Sequence, residues 1–316
     1  MSVYTHVTPE QLTAWLSRHP VGTLQTLRPI PAGIENTNYF VTTTAGRYVL
    51  TLFEKLSAAE LPFYLDLMAH LAEHGIPSAR PVPDLNGALL GTLNAKPAAL
   101  VSFLPGQDVE QPTPQHCAAV GAMLARIHIA GASYEGRMEN PRALLWCQQV
   151  LPEIVRFLPA ADAALLKSEI IAQAARPHAE MPSGAIHGDL FRDNVLFEHE
   201  RISGVIDFYF ACTDAFLYDL AICVNDWCVR EEGALDPARA VPLINAYRAL
   251  RPVSASEADA WPMMLRAAAL RFWVSRLYDF HLPRAGELTH AKEPAHFRRI
   301  LEQHIAEPGT LPADFT

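Results

Sequence analysis

Ile186-His187-Gly188-Asp189-Leu190-Phe191-Arg192-Asp193-Asn194-Val195-Leu196-Phe197 is the stretch on which the reading of this chain turns. Val205-Ile206-Asp207-Phe208 follows it, and then Tyr218-Asp219-Leu220-Ala221. An H-G-D triplet alone is weak. Asn194 five positions after Asp189 cuts chance matches to roughly two per thousand chains of this length. The apolar-Asp-Phe and D-L-A elements, arriving in order, make coincidence hard to sustain. These residue types suit phosphoryl transfer, which needs an in-line hydroxyl, an acceptor for its proton and a metal to spread phosphate charge. Asp189 can orient the hydroxyl and take the proton. Asn194 offers a neutral oxygen and Asp207 an anionic one, a mix that suits Mg2+, whose other ligands are waters and substrate phosphates. Apolar Leu196 and Ile206 stand beside those two ligands and could floor an adenine ring. ATP and Mg2+ are the cofactors this chemistry calls for.

Outward from this stretch, Asn194–Phe197 and Ser203–Ile206 read as short strands, flanked on both sides by helical periodicity. Near the N-terminus, Thr8-Pro9-Glu10-Gln11 is a helix start, with Thr8 as cap and Gln11 closing a capping box. Asn38–Thr44 and Arg47–Phe53 are β-rich runs joined by Ala45-Gly46, which predicts a hairpin. Leu61, Tyr64, Leu65, Met68, Leu71 and Ala72 keep helical spacing until Gly75 and Pro77 stop it. Leu100–Leu104 reads as a strand, and the turn residues Pro105-Gly106-Gln107-Asp108 open a hinge. Thr113-Pro114 starts another helix, with Val120, Met123, Leu124 and Ile127 on one face. The expectation is an α+β chain of two lobes. A small mixed nucleotide-binding lobe spans 1–101, a linker 102–112, and a larger, mainly helical catalytic and substrate lobe 113–316, with a ligand in the cleft.

Composition narrows the partners. At 316 residues, half of them hydrophobic and 19% charged, the chain is that of an ordinary globular protein. Its net charge of −9 argues against binding nucleic-acid backbones, which relies on basic patches. It does not exclude a nucleotide site, where a few local groups and a metal supply the attraction. Met1 to Pro20 lacks the apolar core of a signal peptide, and no apolar stretch is long enough to span a bilayer. Cys117, Cys147, Cys212, Cys223 and Cys228 form no C-x-x-C pair, which suggests reduced thiols in the cytoplasm and no structural zinc.

Taken together, these motifs resemble the aminoglycoside phosphotransferase and choline kinase superfamily, a branch of the protein-kinase-like fold, from Pro31–Asn38 to about Asp226. Ala32–Phe40, Tyr48–Glu54, Glu60–Phe63, His187–Asn194 and Asp219–Cys228 are similar in particular to the homoserine kinases of this fold. The resemblance implies phosphorylation of L-homoserine by ATP to O-phospho-L-homoserine, a step toward threonine. It implies Asp189 as base, Asn194 and Asp207 as magnesium ligands, and His187 and Asp219 as supports of the loop. On the nucleotide side it points to Gly33, Asn36, Thr37, Asn38, Thr51, Ser102 and Leu104. One departure stands out. Thr51 occupies the strand position where the superfamily carries a phosphate-contacting lysine, and Tyr64 aligns with that lysine's glutamate partner. Arg47 and Lys55 are each four residues away, about 13 Å along an extended strand. The inference is that magnesium and the Gly33–Asn38 loop do more of the phosphate work.

An amino-acid acceptor needs a cation for its carboxylate and an anion for its ammonium group. Arg192, in the catalytic loop, is the candidate for the carboxylate or for the γ-phosphate, and Asp226 for the ammonium group. Plainer readings compete at several positions. His187 reads as a structural histidine, and Gly33 as a hairpin turn or a phosphate contact. Asp193 and Asp214 read as turn or capping residues. His128 is a core or rim histidine, and Arg271–Asp279 a packed helix with charged edges. Two other functions stay open, a kinase of the same fold for choline, ethanolamine or an aminoglycoside and a non-catalytic nucleotide-binding module, while a zinc or iron enzyme is set aside. That reading has one His-x₃-His spacing, His70 and His74, with no cysteine near it in sequence to complete a ligand set.

Overall fold

Thr8 begins the first helix as its neighbours dictate: its hydroxyl accepts from the Gln11 amide at 3.3 Å, and the Gln11 side chain accepts from the Thr8 amide at 2.9 Å. The computed structural model describes residues 4–31, 35–176, 181–283 and 293–308, so Gly33 lies outside the described residues. The chain divides into two units, Met1–Gly106 with Ser203–Ile206, and Gln107–Ile202 with Asp207–Thr316.

In the first unit α1 (Pro9–Leu16) precedes β1 (Leu24–Ile30), β2 (Asn36–Thr43) and β3 (Gly46–Phe53). Then come α2 (Leu61–Glu73), β4 (Gly91–Leu93) and β5 (Lys96–Ser102). The strands form one antiparallel sheet in the order β1-β2-β3-β5-β4. Thr43 pairs with Gly46, so the hairpin turns at Thr44-Ala45, one residue earlier than expected. Tyr39 and Val41 of β2, Leu50 and Leu52 of β3 and Leu100 of β5 pack on Leu12, Trp15 and Leu16 of α1. This is the period-2 face of a half-buried sheet meeting the apolar stripe of a helix. The two edge strands β1 and β4 escape sequence reading because neither has an apolar run to bury. β1 is mostly exposed and tolerates Pro29, as edge strands do.

The second unit opens with α3 (Pro114–Gly131), capped by Thr113 as its sequence suggested. α4 (Leu144–Ile154), α5 (Ala160–Ala174) and β6 (Ser183–Ile186) follow, then β7 (Val195–Glu198) and β8 (Arg201–Val205), the end of which belongs to the first unit. β9 (Cys212–Ala215) pairs antiparallel with β6, Ile186 opposite Cys212. α6 (Phe216–Trp227), α7 (Pro237–Leu250), α8 (Ala255–His281) and α9 (Ala295–Ala306) complete it. Every residue of α6 is buried, which explains its apolar sequence on all sides. α3 and α7 touch backbone to backbone at Gly121, where a Cβ would stand 2.0 Å from the Leu243 carbonyl oxygen. α9 docks through Phe297, Ile300, Leu301 and His304, a stripe at helical spacing. His304 Nε2 donates to Asn225 Oδ1 at 2.8 Å, and Asn225 Nδ2 donates to the Leu265 carbonyl at 2.8 Å. All five cysteines are free and buried. Among the described residues no helix is long and apolar enough to cross a membrane.

Candidate active site

The loop after β6 is held by one face of α6. Asp219, Cys223, Asp226 and Trp227 stand at i, i+4, i+7 and i+8, so a single helical stripe faces the loop. Asp219 accepts the backbone N–H groups of His187 and Gly188, both at 2.9 Å. The Leu190 carbonyl accepts from Trp227 Nε1 at 2.9 Å and from the Cys223 thiol at 3.5 Å. Asp226 accepts the Arg192 amide at 2.8 Å and Arg192 Nε at 3.2 Å.

Asp219 is buried, and His128 completes its shell at 3.0 Å through Nε2. A carboxylate only accepts, so the imidazole proton sits on Nε2, and Nδ1 takes the Tyr247 hydroxyl at 2.8 Å. Burial pushes Asp219 toward the neutral form, but the hydrogen bonds from His128 and the loop outweigh it and hold the carboxyl below its usual range. Burial likewise depresses His128, which stays neutral. His187 is fully buried and accepts the Asp189 amide on Nδ1 at 3.3 Å. Its ring lies 4.5 Å from that of Phe208. It supports the loop from beneath.

Asp189 and Asn194 meet directly. Asn194 Nδ2 donates to the Asp189 carbonyl at 2.8 Å and stands 3.4 Å from Asp189 Oδ2. That bond fixes the amide's orientation and leaves Oδ1 as its acceptor oxygen. Asp207 begins the short 3₁₀ turn Phe208–Phe210 with φ 61° and ψ 57°, a left-handed conformation uncommon outside glycine. Such strained backbone clusters where function requires it. The same turn abuts the loop: a Cβ on Gly188, itself at φ +72°, would lie 2.6 Å from the Phe210 carbonyl oxygen. The two acidic segments are therefore packed together. Among the described residues no group of three or more His, Cys, Asp or Glu is arranged to hold a metal. Asn194 and Asp207, the expected magnesium ligands, are an amide and a carboxylate on these two neighbouring segments, donor types that suit Mg2+.

In the first unit the expected nucleotide-side residues are taken up by the protein itself. Thr37 is fully buried; its hydroxyl accepts the amides of Tyr4 and Thr5 at 3.0 and 3.1 Å and donates to Glu54 at 2.8 Å. It anchors the N-terminal segment through these bonds. Ser102 Oγ accepts the Arg80 amide at 2.8 Å. Thr51, opposite Asn38 in the β2–β3 register, donates to Asn38 Oδ1 at 2.8 Å, a neutral pair at the position of the missing lysine. Lys55 pairs with Glu35 at 3.2 Å, and the Arg47 guanidinium lies 3.7 Å over the Phe103 ring. Asn36 is buried in β2, and Leu104 and Ile206 are half-buried. In the second unit Leu196, on β7, is half-buried as well.

Arg192 and Asp226, the expected substrate contacts, pair with one another. Arg192 Nη1 also donates to the Glu110 carbonyl at 2.8 Å. Burial pushes the Asp226 carboxyl up, with Arg192 opposing. The cation that does stand beside Asp189 is Arg271 of α8. It is only 6% exposed, and its Nη1 lies 3.9 Å from Asp189 Oδ1. Its guanidinium rests 3.7 Å over the Phe272 ring and 5.1 Å from the Phe210 ring. Arg276 is drawn down to about 10 by burial and stays cationic at neutral pH, within the field of Asp226, Asp189 and Asp193. Sequence reading took this helix for a packed one with charged edges. The available signal was Leu270-Arg271-Phe272-Trp273, a lone charge inside an apolar run.

The phosphotransferase enzyme family matches the chain over residues 26–253. Homoserine kinase of Methylobacillus flagellatus is 53% identical over 306 residues, covering 97% of this chain and 96% of that one. Homoserine kinase of Burkholderia multivorans is 50% identical over 325 residues, covering 99% and 98%. An amicoumacin kinase solved with AMP-PNP and Ca2+ shares the fold, with a TM-score of 0.72 at 18% identity over 98% and 96% of the two chains. A microcompartment-associated aminopropanol kinase does so at 0.70 and 18%, over 95% and 98%. The chain belongs to the phosphotransferase enzyme family and, within it, to the homoserine kinases.

Proposed function

We propose that the chain transfers the γ-phosphoryl group of ATP to the side-chain hydroxyl of L-homoserine, yielding O-phospho-L-homoserine and ADP. The observation that carries this reading is about 50% identity, end to end, with curated homoserine kinases. The Asp189–Asn194 loop supplies matching chemistry. Asp189 orients the hydroxyl and accepts its proton as the oxygen–phosphorus bond forms and the bond to the ADP oxygen breaks. Asn194 and Asp207 hold Mg2+, which when bound spreads the phosphate charge. His187 and Asp219 keep the loop in place, and the Arg192–Asp226 pair fixes its far end. Asn38 and Thr51, neutral where a lysine is usual in the superfamily, leave the phosphate charge to the metal and to the segment around Gly33.

ADP release measured across L-homoserine, choline, ethanolamine and an aminoglycoside tests the proposal. Turnover should be confined to L-homoserine; turnover on choline with none on homoserine overturns it.

A further inference from the structure

A cavity of about 270 Å³ lies in the second unit, lined by Asn140, Arg142, Cys147, Asp214, Tyr218 and Arg271 among others. Met264, Ala267 and Arg271 of α8 line it at i, i+3 and i+7, one face of the helix. The volume lies below the ~300–1,000 Å³ of sites for drug-sized ligands, so it suits a molecule the size of an amino acid. Arg271 belongs to both places: it lines the cavity and stands 3.9 Å from Asp189 Oδ1.

Its burial needs a reason. A guanidinium withdrawn from water costs several kcal/mol unless its donors are engaged. It carries five N–H donors, and a carboxylate at 3.9 Å is too long to satisfy a bidentate fork. Asp214, which sequence reading took for a turn or capping residue, also lines the cavity. It sits on β9, accepting Asn140 Nδ2 at 2.7 Å and the Ala215 amide at 2.7 Å. Arg142 rests its guanidinium 4.2 Å from the Trp146 ring, and its amide is fixed by Asn140 Oδ1 at 2.8 Å. Asn140 thus ties the anion's position to that of the second cation. The lining offers two cations and one anion, with the anion Asp189 beyond. That balance fits a zwitterion.

We propose that this cavity is the amino-acid subsite of the kinase, with Arg271 and Arg142 receiving the substrate carboxylate and Asp214 its ammonium group. The proposal rests on the homoserine reading. Four bonds of about 1.5 Å separate the homoserine hydroxyl oxygen from its carboxylate carbon, a span of about 5 Å when extended. Arg271, which lines the cavity and stands 3.9 Å from Asp189 Oδ1, links the two places. The same arginine that orients Asp189 also reads the acceptor, so an alcohol without a carboxylate loses contacts at both ends.

The test compares L-homoserine with 3-aminopropan-1-ol, which lacks the carboxylate, and 4-hydroxybutyrate, which lacks the ammonium group. kcat and KM are measured for wild type, Arg271→Gln, Arg142→Gln and Asp214→Asn; an analogue not turned over is scored by its inhibition constant against homoserine. Loss of one charge-assisted contact should raise the homoserine KM roughly ten- to a hundredfold. In the arginine variants the value for 3-aminopropan-1-ol should move by less than about twofold, so discrimination for the carboxylate collapses. In Asp214→Asn the discrimination against 4-hydroxybutyrate should collapse instead. Arg271→Gln should also lower kcat on both acceptors. Equal losses on homoserine and on the matching analogue overturn the subsite. Should Arg271→Gln fail to show a cooperative thermal transition, the half-buried Arg142 and Asp214 decide by the same criterion. Wild-type enzyme inactive on L-homoserine refutes the acceptor assignment itself, whereas an active enzyme with proportional losses refutes only the cavity.

Discussion

Asp189 is the side chain whose chemistry other residues exist to place. Asn194 touches it, Arg271 stands beside it, and Asp219 holds the two amides just before it. Asp189→Asn keeps the shape and removes the proton acceptor. It should lower kcat by about 10²–10⁴, with MgATP affinity by calorimetry unchanged; near wild-type turnover would remove Asp189 from the proposed role. The meeting of Asp189 with Asn194 was legible from their five-residue spacing within one loop, with Asp207 starting a nearby turn. Arg271 was not. Its significance depends on which face of a long helix turns inward, and α8 is too apolar around residues 263–274 for periodicity to choose one. The pairing of Arg192 with Asp226 was hidden for a related reason: charges 34 residues apart look independent until α6 brings them together.

At the scale of elements, α9 has a stability that should follow pH through one histidine. Burial pushes His304 down to about 4, with Arg266 adding to the effect. Unfolded, the same ring titrates near 6.5. Between those values the unfolded chain binds a proton that the folded chain refuses, so stability rises with pH across this window and is lost on acidification. The shift corresponds to about 3 kcal/mol. Buried, neutral His128 acts in the same direction. His304→Gln retains a donor for Asn225 and removes this titration. Urea unfolding at pH 7.5 and 5.0 should therefore show a smaller loss in the variant; an unaltered loss would mean the histidine does not carry it. α9 also shows why the bounds of some helices went undrawn inside the segment expected to be mainly helical. Its polar residues outnumber its buried stripe, whereas the helix starts at Thr8 and Thr113 announced themselves by caps. β6 and β9 are four residues each and read as strands only once paired.

For the molecule as a whole, α+β character and the division of labour between a sheet-bearing segment and a helical one were legible from the order of periodicities. The positions of edge strands and the cavity beside Asp189 were not, since both are products of packing. Proposed metal use has a readout that involves the entire fold. A ligand that binds only the folded state raises its stability by about 2.7 kcal/mol at a hundredfold excess over Kd. MgATP should thus raise the thermal midpoint, ATP with EDTA should raise it less, and Asp207→Ala should narrow the gap between them. An Asp207→Ala protein with the wild-type gap would place the metal elsewhere.

The paired amides of His187 and Gly188 end on a carboxylate with no exposure to water. Opening them to deuterium requires α6 to leave the interior. Their exchange should therefore run at the rate set by complete unfolding, as slow as the slowest core amides, even though Asp189, one residue on, is partly exposed. On that expectation the Asp189 carboxylate, the proposed proton acceptor, is carried by backbone that opens only with the core, and adjustment during turnover falls to side chains or to other parts of the chain.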